Sequence, residues 1–200
     1  MDNVEEEKIY KKIEELSVPI LESLQPLEIE NFSPFYLRYY EDKYCVAFND
    51  KEHNHDILLR FHSNRLVLIS IAKGHDIFKG KLIEKIDFNV NGRNLKEIIV
   101  SGKKKNGAKK LNRESVLCYL QCKDDENRYP IYTSILASLI EINSHILKDP
   151  QLLVSDYKKL GYIGVLYPKC YGPYSMSVEA MAQKYNLLSE KEYEEYLSTR

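Results

Sequence analysis

Six basic side chains crowd into eleven residues of this chain: Lys103, Lys104, Lys105, Lys109, Lys110 and Arg113. Gly102 and Gly107 interrupt the run, and glycines at such spacing mark an exposed, conformationally free loop. Such a segment has several uses. It can hold a polyanion through its phosphates, with affinity that falls steeply as salt rises. It can meet an acidic protein surface, where charge mainly sets association rate and orientation. It can serve as a nuclear-import signal, which requires only exposure. It can also be a solvated loop, or one neutralised by an acidic part of the same chain.

No other set of residues assembles a reaction. The histidines are His53, His55, His62, His75 and His145. His53-Asn54-His55-Asp56 has the look of a ligand pair, but no third ligand lies near it, so surface or turn positions are expected and no metal site. Cys118 and Cys122 sit four apart in the strand-like VLCYLQC. At ~3.3 Å per residue they stand about 13 Å apart on one face, too far to share a metal ion. No phosphate loop, dinucleotide fingerprint, GxSxG or HExxH is present, and no nucleophile stands beside a base. No catalytic residue and no bound cofactor is expected. The aromatic run Phe32, Phe35, Tyr36, Tyr39, Tyr40 and Tyr44 has only Arg38 and Lys43 for local positive charge, opposed by Glu41 and Asp42. Packing as cap or core fits it better than base stacking.

The elements that must carry these residues are strands. ILLRF and RLVLISI flank the turn His62-Ser63-Asn64. IEKIDFNV alternates, with Ile86, Phe88 and Val90 inward and Lys85, Asp87 and Asn89 outward, before an Asn91-Gly92 turn. EIIV runs toward Gly102. VLCYLQ and YPIYTSIL flank the polar tip Lys123 to Asn127, and LIEIN and GYIGVLYP complete the set, with a one-turn helix around Pro150 between them. Seven or eight short strands argue for a small barrel or sandwich rather than an α/β sheet. Ile9, Ile13 and Leu16 share a helical face, predicting an amphipathic helix from about Asp2 to Leu16. Val178, Met181, Ala182 and Tyr185 lie at helical spacing, and Ser189 with Glu192 forms a capping box opening a last helix to about Leu197.

A hydrophobic fraction of 44% over 200 residues suffices for one good-sized core, and no apolar run reaches the ~18 residues of a membrane span. The acidic start lacks a signal-peptide core, and the scattered cysteines at 45, 118, 122 and 170 read as reduced thiols of cytosol or nucleus. Charge is uneven. Residues 1–30 carry nine acids against Lys8, Lys11 and Lys12, a net of −6. With −2 over 179–200 and −1 overall, residues 31–178 hold +7. A basic body between acidic ends favours an acidic partner or neutralisation within the chain.

Ile131 to Pro168 resembles the second half of glycine cleavage H proteins, with Leu139-Ile140-Glu141-Ile142-Asn143, Asp149-Pro150-Gln151-Leu152 and Gly161-Tyr162-Ile163 in the same order. The chain is more closely similar to the Abitram (Simiate) family of actin-binding transcription modulators. The shared segments are His62-Ser63-Asn64-Arg65, Val100 to Ala108, Gly161 to Lys169, Phe35 to Tyr40, and the tail Ser189 to Tyr196, together covering about residues 34–197. The resemblance implies a mainly β barrel-sandwich hybrid of the lipoyl- or biotinyl-carrier type, with the single hybrid motif and N- and C-terminal helices. On that reading 1–30 is an acidic helical extension, 31–170 the core, and 171–200 a helical tail packed on it. It further implies a protein that binds actin, influences filament assembly and transcription-linked processes, and resides in nuclear speckles and cytoplasm; a monomer that is not an enzyme and does not engage membranes is expected alongside. A nuclear adaptor using loop 102–113 on nucleic acid is the alternative. In the carrier alignment Glu126 falls at the prosthetic-group lysine, and Lys123 is the nearest lysine, a solvated turn residue rather than a modified one.

Overall fold

The computed structural model describes residues 7, 11–13, 35–97, 107–123, 125–169 and 177–200. The chain divides into two compact units, 1–38 and 39–200. In the first, Glu7, Lys11, Lys12 and Ile13 are helical, while the rest of the expected 2–16 helix lies outside the described residues. Ile13, expected on the apolar face, is 56% exposed. A single helical turn, α1 (Phe35–Arg38), ends this unit.

The second unit is built on two antiparallel sheets. The larger has six strands in the order β1 (Tyr40–Cys45), β2 (Ile57–His62), β3 (Val67–Ile71), β11 (Gly164–Pro168), β10 (Ala137–Ile142) and β7 (Lys109–Leu111). The smaller has three: β4 (Ile83–Asp87), β8 (Val116–Cys122) and β9 (Arg128–Tyr132). A two-strand ribbon, β5 (Asn89–Val90) with β6 (Arg93–Asn94), completes the set. The mainly β expectation holds, and among the described strands neither sheet closes into a barrel. Glu97, the start of the expected EIIV strand, ends a 3-10 turn, and residues 98–100 lie outside the described residues.

Local chemistry sets the turns. In the β2–β3 hairpin the His62 Nδ1 accepts from Asn64 N–H at 3.0 Å, and Asn64 Oδ1 accepts from Leu66 N–H at 3.0 Å. These two side chains supply a backbone-like frame that carries Arg65 at φ 72°, in the left-handed region. Asn91 and Gly92 have φ 50° and 72°, the pairing a two-residue type I′ hairpin demands. Pairing shifts in β4, β8 and β10 mark bulges, which bend the strands around the interior.

The main core lies between the sheets and takes Ile57, Leu59 and Phe61 from β2 with Leu117, Leu120 and Ile131 from the other side. Strand β2 is buried on both faces because a second, smaller cluster covers its back. There Leu58 joins Tyr44, Ala72 and Tyr193. Tyr193 comes from α5 (Glu190–Ser198), which opens with the expected capping box: Ser189 and Glu192 bond reciprocally. Helix α4 (Val178–Tyr185) sends Met181, Ala182 and Tyr185 into the main core and ends at Asn186, φ 52°. Two short helices, α2 (His145–Lys148) and α3 (Leu152–Ser155), flank Pro150 and bury Ile146 and Leu153. No helix among the described residues is long and apolar enough to cross a membrane.

Candidate interaction surface

Strand β7 is the described end of the basic segment. Lys109, Lys110 and Leu111 pair with Leu139, Ser138 and Ala137 of β10. Beyond β7 the six-stranded sheet has no further strand among the described residues. A groove of about 580 Å³ runs along this edge, walled by the β5–β6 ribbon on one side and residues 112–116 on the other. Arg93, Lys109 and Lys110 line it, with Glu114 the one opposing charge and Val90, Leu95, Leu111 and Val116 the apolar part. No ion pair to another described residue engages Arg93, Lys109 or Lys110.

The six basic residues therefore separate. Lys109 and Lys110 lie in the groove, and Lys103, Lys104 and Lys105 fall outside the described residues. Arg113 turns inward: its guanidinium donates to Tyr185 O at 3.1 Å, the end of α4, and sits 5.8 Å from the Phe48 ring centre. Arg113 acts as a clasp on the tail, and Arg93 takes the groove position that the sequence had not singled out. The signal available was Arg93 one residue beyond the Asn91-Gly92 turn, which aims it back along the ribbon.

The polar tip between β8 and β9 is stitched to its surroundings. Lys123 N–H donates to Leu82 O at 2.8 Å, and its side chain is exposed. Asp125 pairs with Lys81 at 2.5 Å and accepts from Tyr129 Oη at 2.7 Å. The hydrogen bond from Lys81, then those from Asn127 N–H and Tyr129, hold Asp125 below the usual carboxylate range. Glu126, at the position aligned with a carrier lysine, is exposed and has no amine to offer.

The histidine expectation needs correction. His62 is half-buried in its turn and His145 is exposed, but His55 and His75 are buried, His75 completely. Residues 46–56 fold back against the 3-10 turn at Asp76–Phe78 and the tyrosines of β9. His53, His55 and His75 then stand in a file, with ring centres 6.1 and 5.8 Å apart, against Tyr129 and Tyr132. Partners from β9 lie more than fifty residues away, so the local sequence carried no sign of the burial. The one clue was His75-Asp76 abutting the apolar Ile77.

His75 Nδ1 accepts from Ile77 N–H at 3.2 Å, which places its proton on Nε2, an atom with no partner among the described residues. Burial pushes the His75 pKa down to about 3 and lowers that of His55. Asp76 is also buried, which opposes its ionisation, but hydrogen bonds from Lys79 and Asn54 prevail and hold it ionised. Both imidazoles are neutral and structural. Among the described residues no group of three His, Cys, Asp or Glu is placed to hold a metal ion. Cys45, Cys118 and Cys122 are buried free thiols, and burial raises the Cys118 pKa well above the ordinary thiol range, leaving it protonated and inert.

A second buried network joins the tail to the sheet. Asp56, 0% exposed, accepts from Tyr193 Oη at 2.6 Å, from Asn49 Nδ2, and from Arg200 at 3.3 Å. The Tyr193 oxygen in turn accepts from Gly74 N–H at 2.8 Å. Nearby, Arg60 is 2% exposed in the middle of β2, with Nε donating to Asp42 at 2.8 Å and a further bond to Lys158 O. Lys158 bridges Asp42 at 3.2 Å and Glu190 at 2.6 Å.

No family model matches the chain. Individual proteins do. Protein Abitram of Xenopus tropicalis is 36% identical over 141 residues, 70% of this chain and 73% of that protein. Protein Abitram of Danio rerio is 35% identical over 70% of this chain and 75% of its own length. The Drosophila melanogaster protein of the same name is 29% identical over 196 residues, 98% of this chain and 82% of that one. Among solved structures, a glycine cleavage system H protein from Mycobacterium marinum superimposes with a TM-score of 0.49 and 11% identity, covering 79% of this chain and 97% of that one.

Proposed function

This chain belongs to the Abitram family, and from that premise we propose that it is a non-enzymatic interaction protein, working as a monomer, whose basic segment 102–113 engages an acidic partner. Actin is the partner the family resemblance implies, with filament assembly and transcription-linked processes as the setting and the nucleus, its speckles and the cytoplasm as the place. The observation that carries the reading is the convergence of Lys109, Lys110 and Arg93 on one groove beside β7, with Lys103, Lys104 and Lys105 a few residues earlier in the sequence. Such a concentration of one sign raises encounter rates with an acidic surface and fades with salt.

Co-sedimentation with filamentous actin at low salt tests it. The protein pellets with filaments, and reversing Lys103, Lys104 and Lys105 to Glu cuts the bound fraction severalfold. A protein that stays in the supernatant, or a triple variant that pellets like the parent, removes actin from the account. A gel-shift titration addresses the nucleic-acid reading. Binding that falls by decades between low and moderate salt, without competition from actin, would favour a nuclear adaptor instead.

A further inference from the structure

The groove beside β7 has a shape that charge alone does not account for. In an antiparallel ladder each strand bonds its neighbours through both edges. Strand β7 uses one edge on β10, and no backbone bond from 109–111 reaches any other described residue. Edges of this kind are usually short, twisted away, covered or guarded by charge. Here β7 is short and carries two lysines, but an open trough with apolar walls lies alongside it. At about 580 Å³ the trough is within the size range of ligand clefts, roughly 300–1,000 Å³.

We propose that this edge binds a partner by strand addition, taking an extended acidic peptide segment as a seventh strand against β7. The inference rests on the interaction-protein reading above and supplies its mode of contact, but it does not require that the partner be actin. The occupant follows from the residues. Three groove cations face one carboxylate, Glu114, so the complement is acidic. Strand addition supplies affinity through main-chain hydrogen bonds and specificity through alternate side-chain pockets. Lys109 and Leu111 share one face of β7 and Lys110 occupies the other, so an antiparallel guest pairs in the order Leu111, Lys110, Lys109. Its sequence therefore reads apolar, acidic, acidic from N- to C-terminus.

Single-stranded nucleic acid fits less well, because sequence-tolerant binding of bases relies on aromatic platforms and none of the groove residues is aromatic. The carboxylate of Glu114 and the apolar walls also suit a peptide better than a phosphate backbone.

Fluorescence anisotropy with the full chain decides the matter. The probe is a fluorescein-labelled octapeptide, Thr-Thr-Val-Glu-Glu-Thr-Val-Thr, with blocked ends. Three comparisons accompany it: the same peptide N-methylated at the alternate backbone nitrogens that face β7 in the proposed pairing, a version with Lys for each Glu, and a labelled oligothymidylate. The acidic peptide binds saturably. A Lys109→Glu/Lys110→Glu variant with an unchanged unfolding midpoint binds it about tenfold more weakly, as expected when attraction at a contact becomes repulsion. N-methylation weakens binding to a similar degree while leaving charge intact, and this control needs no altered protein. No binding of the acidic peptide, or equal binding of the N-methylated one, overturns strand addition. Tighter binding of the oligothymidylate, lost in the same double variant, assigns the edge to nucleic acid and overturns the peptide proposal. Peptide binding without retention on actin filaments refutes the actin reading alone, whereas filament binding without any binding of the acidic peptide refutes the edge alone.

Discussion

Tyr193 holds a buried carboxylate and a backbone amide with one hydroxyl, donating to Asp56 and accepting from Gly74 N–H. A Tyr193→Phe substitution keeps the ring stacked on Tyr44, 4.1 Å between centres, but strands the Gly74 N–H and leaves Asp56 with only Asn49 and Arg200 as donors. Leaving buried polar groups unpaired costs about 1–3 kcal/mol, so urea unfolding of this variant shifts by that amount. Gly74→Ala is more damaging, because a β-carbon there would overlap Asp56 Oδ2 and stand 2.7 Å from the Tyr193 oxygen and 2.8 Å from Leu197. The buried histidine makes a pH prediction at the same scale. His75 is held neutral down to about pH 3, whereas the unfolded chain protonates it near 6.5. The unfolded state therefore binds more protons below 6.5, and the stability His75 permits at neutral pH drains away as pH falls from about 6.5 toward 3. Asp76, depressed below its ordinary value, pushes the same way at still lower pH. Thermal unfolding followed from pH 7.5 to 4 shows a falling midpoint, and a His75→Gln variant flattens the upper part of that fall. An unchanged slope in the variant would place the titration elsewhere.

Elements are tied together by a chain of ion pairs. Arg60 on β2, Asp42 on β1, Lys158 in the loop after α3 and Glu190 on α5 form one chain of charge. Removing one partner of a buried pair leaves the other uncompensated, at about 3–5 kcal/mol. Asp42→Ala is therefore expected to lower the urea midpoint sharply, while a double Asp42→Ala/Arg60→Leu variant recovers much of the loss because Leu suits a strand buried on both faces. Recovery absent from the double variant would show that Arg60 contributes through other contacts. These ties also explain what the sequence disclosed and what it withheld. The Asn91-Gly92 turn, the His62-Ser63-Asn64 turn and the Ser189–Glu192 capping box are governed by neighbours within a few residues, so residue type alone revealed them. The burial of His55, His75, Asp56 and Arg60 is set by Tyr129, Tyr193 and Lys158, partners brought up only when the fold closes. The tie of Arg113 to the end of α4, 72 residues on, was hidden for the same reason.

For the whole molecule the organising feature is charge on a β scaffold. The body carries +7 over residues 31–178, and three of its described cations, Lys109, Lys110 and Arg93, line one groove where the larger sheet stops among the described strands. The back of β2, by contrast, is already covered by α5, and the histidine file is sealed by β9. Among the described residues, the groove beside β7 is therefore the place proposed for a partner to dock. Amide hydrogen exchange with and without actin filaments at low salt reads that place directly, since strand pairing and contact both slow exchange. Protection of 107–116 together with 90–95, and unchanged exchange across α5 and 46–56, is the predicted pattern. Protection confined to α5 or to 46–56, with 107–116 exchanging as in the free protein, would contradict it.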